Sequence, residues 1–250
     1  MILDHERHGT HGAPVVLVHG ITESRRTWDP ILDRLGRDHR VLALDLPGHG
    51  GSPPAADGDA LTLAAAVHDT VTHVGFDDPT LIGHSFGGVV VTAYAAAFGA
   101  TRVVNIDQSL RLGDFQAALQ AAEPQLRGTP GEFTALIAAL FESMDGPLPA
   151  SERARIDATA RVDQDVVLGI WASTLSSTPD ELDALVGALT APVTARYLSI
   201  HGIDPGPGYD AWLAERIDGA VIEHWPEHGH YPHLVDPDRF VTRVGAFIDG

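Results

Sequence analysis

The chain reads as an α/β protein, a mostly parallel, doubly wound sheet carrying a helical insertion. Three observations lead there. Short apolar runs recur at Pro14–Val18, Arg40–Leu46, Thr80–Gly83 and Arg102–Asp107 without polar alternation, as strands covered on both faces require. Helical patterns lie between them. After Asp107 the strand-type runs stop, and they resume only near Val193.

The elements follow in order. Trp28–Leu35, Leu61–Val74 and Gly88–Phe98 are the expected connecting helices. From Leu110 to Leu189 the pattern is helical, with Leu136, Ile137, Leu140, Phe141 and Met144 at helical spacing, as are Val166, Val167, Ile170 and Trp171. Gly-Thr-Pro, Gly-Pro and Ser-Thr-Pro clusters punctuate this stretch. Val193–Ile200 and Ala220–Trp225 are the expected closing strands. Asp236-Pro237 starts the last helix, Asp238–Ile248. The expected division is a core of residues 1–108 and 191–250 around a helical cap of residues 109–190.

Composition excludes several chemistries. There is no cysteine, hence no disulfide and no thiolate nucleophile or ligand. All 16 basic residues are arginine, so Schiff-base and P-loop lysines are absent. A net charge of −18 repels phosphate backbones and anionic lipid, so neither nucleic acid nor membrane is an expected partner. The N-terminus lacks the basic-then-apolar layout of a signal peptide, and a cytoplasmic location is expected. His5, His8 and His11 recur every third residue. On a terminus read as flexible they lack the convergent geometry and supporting shell of a metal site, and no metal is expected.

Gly83-His84-Ser85-Phe86-Gly87 carries the most chemistry. It joins a strand to a helix, and small neighbours let the two backbones close to a tight turn that projects the Ser85 hydroxyl outward. The Phe86 amide at the helix start can donate to a developing oxyanion. A second donor is expected after the first strong strand, where Gly20 aims the Ile21 amide inward. His19 is read as a brace of that loop. A serine nucleophile needs a base, and the base needs an orienting carboxylate. His230, in Gly229-His230-Tyr231-Pro232-His233, is the expected base. His228 and His233 are read as loop residues. Asp204, directly after the strand that follows the insertion, is the favoured acid, and Asp107 is the alternative. Asp45 is read as a turn former.

These motifs resemble the α/β-hydrolase superfamily, in particular its small capped esterases, lactonases and carbon–carbon hydrolases. The likeness rests on His19-Gly20, Asp45-Leu46-Pro47-Gly48-His49-Gly50, Gly83-His84-Ser85-Phe86-Gly87-Gly88, His201-Gly202-Ile203-Asp204 and Gly229-His230-Tyr231-Pro232-His233. It implies Ser85 as nucleophile, His230 as base, Asp204 as acid and an oxyanion hole from Ile21 and Phe86. Serine at the nucleophile position differs from the aspartate of dehalogenases and epoxide hydrolases. The usual leading strands are expected to be trimmed or absent, since few residues precede Pro14.

The expected reaction is cleavage of a carboxylic ester, lactone or thioester through an acyl-enzyme, without a cofactor. The expected substrate is a small molecule with an apolar acyl group or ring. Thr22, Met144, Trp171 and Tyr231 are the candidate pocket residues. The rival readings are a carbon–carbon hydrolase or lyase using the same triad, and a non-enzymatic ligand receptor.

Overall fold

A computed structural model describes residues 1–250. Seven strands form one sheet: β1 (His5–His8), β2 (Pro14–Val18), β3 (Arg40–Leu44), β4 (Thr80–His84), β5 (Arg102–Ile106), β6 (Arg196–His201) and β7 (Val221–His224). Their spatial order is β1-β3-β2-β4-β5-β6-β7. Only β1 runs antiparallel to its neighbour. The apolar runs mark the parallel strands because each is buried from both sides. In β2, Val16 and Val18 join the core beneath helices Ala60–Val74 and Phe86–Phe98. Val15 and Leu17 join the opposite core beneath Asp29–Leu35 and Pro237–Asp249. A strand serving two cores has no face left for polar residues.

Two short elements depart from the sequence reading. His5–His8 is the antiparallel edge strand, paired His5 with Leu44 through His8 with Val41, so this part of the terminus is anchored rather than flexible. Its intermediate burial leaves it without the apolar run that marked the other strands. Helix Tyr209–Ala214 also forms between β6 and β7.

Between β5 and β6 the chain is helical from Gly113–Ala121 through Pro179–Thr190. Two of the Thr-Pro clusters are helix starts. Thr129 and Glu132 form a capping box, as do Thr178 and Glu181, each box satisfying amides at the helix's open end. Helix Pro179–Thr190 packs on Phe86–Phe98. This end of the insertion therefore belongs to the layer that covers the sheet. No helix is long and apolar enough to cross a membrane.

Glycine positions make a testable contrast. A Cβ on Gly87 would lie 2.3 Å from the Val18 carbonyl oxygen, whereas one on Gly187, within the last helix of the insertion, would meet nothing within 4 Å. Gly87→Ala is expected to destabilise by about 1–3 kcal/mol or more through overpacking. Gly187→Ala is expected to stabilise by about 0.5–1 kcal/mol by restricting the unfolded chain. Urea denaturation midpoints moving in the same direction would refute the contrast.

Candidate active site

The parallel ladder aligns the carboxyl ends of β2, β4, β5 and β6, and the site forms along that edge. Beyond the strands proper, the Ser85 amide donates to the Ile106 carbonyl at 2.8 Å and the Asp107 amide to the Ile200 carbonyl at 2.7 Å. Ser85 and Asp107 are thereby fixed on neighbouring rungs.

Ser85 has φ 51° and ψ −130°, a conformation that costs a non-glycine residue on the order of 1–3 kcal/mol. The surrounding packing holds it there. A Cβ on Gly83 would lie 2.1 Å from the Gly87 carbonyl oxygen, and one on Gly88 would lie 2.4 Å from Asn105 Oδ1. Gly83, Gly87 and Gly88 are thus required by close approach, as the sequence reading expected of the small residues around the serine. Phe86 opens helix Phe86–Phe98, so its amide has no preceding helical turn to accept it.

The loop after β2 lies beside the serine. A Cβ on Gly20 would come within 3.0 Å of Ser85 Cβ. Three of the loop's amides are engaged: Gly20 N donates to Glu23 Oε2 at 3.1 Å, Thr22 N to His49 Nε2 at 3.0 Å, and Glu23 N to the Gly20 carbonyl at 3.3 Å. The amide of Ile21 makes no such bond. His19 braces the loop. Its Nδ1 donates to the Gly20 carbonyl at 2.7 Å and its Nε2 accepts from Leu46 N at 2.9 Å. Asp45 is a turn former, accepting from the Arg25 and Gly51 amides.

The carboxylate partner of His230 is Asp107, which corrects the preference for Asp204. His230 Nδ1 lies 2.6 Å from Asp107 Oδ2, with both side chains buried. Asp107 Oδ1 accepts from the Gly202 amide at 2.7 Å and the Ile203 amide at 2.9 Å. The loop after β6 therefore serves Asp107 through its backbone. Asp204, one residue further, is exposed and accepts only from Gly206 N within its own turn. Burial pushes the Asp107 carboxyl up, but the hydrogen bond and charge of His230 and the loop amide outweigh it, and the pKa is lowered.

With Nδ1–H given to Asp107, His230 Nε2 is buried without a protein partner. No hydrogen bond joins it to the Ser85 hydroxyl. In ligand-free sites this contact is commonly loose and tightens when substrate binds. The base loop is held from the insertion, since His230 N donates to the Met144 carbonyl at 2.9 Å. His228 is partly exposed and bonds to the Pro226 carbonyl. His233 is fully buried, and burial drives its pKa well below the ordinary value.

The pocket expectations need revision. Tyr231 is fully buried in a cluster with Ile156 and Leu234, beneath Arg153, and Trp171 is buried against the Phe115 ring; both are packing residues. Met144 contributes its carbonyl to the base loop. Thr22 is buried at φ 65° with its amide and carbonyl both committed, the carbonyl to Arg161 N. Phe141, whose ring centroid lies 6.4 Å from that of His230, is the insertion's aromatic neighbour of the base. No group of three or more His, Asp or Glu side chains is arranged to hold a metal ion.

Sequence reading missed two charged residues. Glu23 and His84 are almost completely buried, with Glu23 Oε2 3.3 Å from His84 Nδ1. Burial opposes both charges, but each stabilises the other: the Glu23 carboxyl lies far below its usual range and the His84 ring above its own. A polar residue beside the elbow glycine and another three residues after Gly20 were the only signals.

Several buried histidines stay neutral. Burial lowers His49 and His201 to about 4 from 6.5. In the unfolded chain both rings bind protons near 6.5. Between pH 6.5 and 4 the unfolded state therefore holds more protons, and stability falls as pH falls. His19 and His233 add to the same trend. The carboxylates of Glu23 and Asp107 hold their contribution into stronger acid. Melting temperature is expected to fall steadily from pH 6.5 toward pH 4, while the raised His84 ring lowers stability again as pH climbs past its folded value. A flat calorimetric profile across that window would refute these assignments.

Comparison with known proteins identifies the family. A sequence model of the α/β hydrolase fold matches residues 13–224. An abhydrolase domain-containing protein of Caenorhabditis elegans is 27% identical over 95% of this chain, which spans 59% of that relative's length. An uncharacterized protein of Mycobacterium tuberculosis is 34% identical over 95% of this chain and 76% of its own length. The crystal structure of the esterase RhEst1 from a Rhodococcus species superposes with a TM-score of 0.74 at 26% identity, covering 98% of this chain and 94% of that one. With that model matching most of the chain over a sheet of the same kind, the chain belongs to the α/β-hydrolase-fold family.

Proposed function

We propose that the chain is a serine hydrolase that cleaves an ester-type bond, in a carboxylic ester, lactone or thioester, through an acyl-enzyme. The observation that carries this reading is the Asp107–His230 pair, whose free Nε2 stands at the same sheet edge as the strained turn of Ser85. Ser85 Oγ attacks the carbonyl carbon while His230 Nε2 takes its proton. The carbonyl π electrons move onto oxygen, where the Ile21 and Phe86 amides receive the charge. The C–O or C–S bond then breaks, and His230 returns the proton to the leaving group. Water, deprotonated by the same nitrogen, attacks the acyl-enzyme and restores Ser85. Asp107 holds the ring in the Nδ1–H tautomer and stabilises the imidazolium.

The similarity to an esterase at 26% identity supports an ester substrate. The apolar flank of Ile21, Phe86 and Phe141 suits a small apolar acyl or ring group, with the helical insertion acting as a cap. The reaction needs no cofactor.

The test is incubation with a fluorophosphonate, followed by a panel of short-chain esters, lactones and thioesters beside a cyanohydrin and a 1,3-diketone. Labelling confined to Ser85 and multiple turnovers on the ester-type compounds are expected. Turnover of only the cyanohydrin or diketone would replace this reading with carbon–carbon chemistry. Absence of both labelling and turnover would favour a receptor.

A further inference from the structure

The proposed mechanism leaves the buried pair Glu23–His84 without a task, yet the pair touches all three segments that build the site. Glu23 Oε2 accepts from Gly20 N at 3.1 Å, the amide just before Ile21, and lies 3.3 Å from His84 Nδ1. His84 Nε2 lies 2.8 Å from the main-chain carbonyl of His230. A carbonyl oxygen only accepts, so Nε2 must carry a proton. Nδ1 faces a carboxylate, so it too is a donor, and the ring is an imidazolium. The backbone of His84 continues directly into Ser85. One chain of bonds therefore runs from the oxyanion loop through the nucleophile strand to the base loop.

Stability alone is a weak reason for such a pair. Two charges at 0% and 2% side-chain exposure have lost their hydration, and well-packed apolar residues of similar volume often serve stability as well or better. A bridge with fixed directions does what apolar packing cannot, because it sets the distance and angle between loops. Beyond the pair, the ring of His84 is faced by His230, Tyr231 and His233 from the base loop and by Asp107 from the end of β5. Asp107 reinforces its charge.

We propose that Glu23 and His84 are positioning residues, a charged bridge that holds the Ile21 amide and the His230 ring in register with Ser85. The inference rests on the acyl-transfer reading above. Neither residue touches substrate, so their loss changes turnover more than binding. A misplacement of about 1 Å at the reacting centre costs on the order of 10²-fold.

The experiment compares the wild-type enzyme with Glu23→Gln, His84→Gln and the double variant on a nitrophenyl ester, with kcat expressed per site titrated by fluorophosphonate. Each single variant is expected to lose about 10- to 100-fold in kcat with KM within about threefold. The double variant, with no uncompensated buried charge, keeps the fold even where a single variant does not. It is expected to show the same loss as the worse single variant, not the product of the two. Wild-type kcat per titrated site in the folded double variant would overturn the inference. In the unaltered protein, ¹⁵N NMR at pH 7 should find both ring nitrogens of His84 protonated, and a neutral ring would overturn the bridge. Failure of the wild-type enzyme to label or turn over would instead overturn the acyl-transfer reading.

Discussion

Ser85→Ala is expected to lower kcat/KM on the best ester substrate by about 10³- to 10⁶-fold while leaving the fold intact. The size of the effect follows from what is lost. Without Oγ there is no covalent intermediate, and His230 Nε2 has no proton to take; oxyanion donation and binding alone remain. The fold should persist because alanine keeps a Cβ in the strained conformation that Gly83, Gly87 and Gly88 already accommodate. Fluorophosphonate labelling should vanish with the activity. A loss below tenfold in pure, folded protein would remove Ser85 from the reaction.

Asp107→Asn should be nearly as damaging, with kcat reduced by roughly 10⁴-fold. The carboxylate accepts Nδ1–H from His230 at 2.6 Å. An amide can present its NH₂ there instead, which moves the ring proton to Nε2 and leaves no base. Asn can still accept the Gly202 and Ile203 amides through its carbonyl, so the loop after β6 has a means of staying in place. Asp204→Asn should leave kcat within about twofold of wild type, because its carboxylate closes only an exposed turn onto Gly206, which an asparagine also closes. Matched kinetics on the two variants decide the matter, and equal losses would withdraw Asp107 from its role.

The contrast between these two aspartates shows where sequence reading stops. Asp107 and Asp204 each follow an apolar strand that ends at the same sheet edge. What separates them is the direction of the chain after the strand. Asp107 takes φ 53° and turns its carboxylate onto the His230 ring and the Gly202 and Ile203 amides. Asp204 sits beyond those amides and faces solvent. Neither orientation is encoded in local pattern. The same holds for Glu23 and His84, which are distant in sequence and meet only because β2 and β4 are neighbours in the sheet. β1 escaped notice because an edge strand of partly buried polar residues lacks the apolar run that marked the others. Tyr231 and Trp171 are large enough to line a pocket, and only packing against Ile156, Leu234 and Phe115 assigns them to the interior.

Local chemistry written into the chain was enough for the parallel strands, the helices between them, the serine turn and the loop histidine. Each depends on short-range rules: apolar runs for doubly covered strands, glycines where backbones touch, and capping residues at helix starts. The tertiary structure alone decided which carboxylate reaches the imidazole, which amide of the loop after β2 is left unbonded, and that a buried charge pair joins the loops around Ser85. Those are relations between segments far apart in the chain, and they exist only once the strand order brings the segments to one edge.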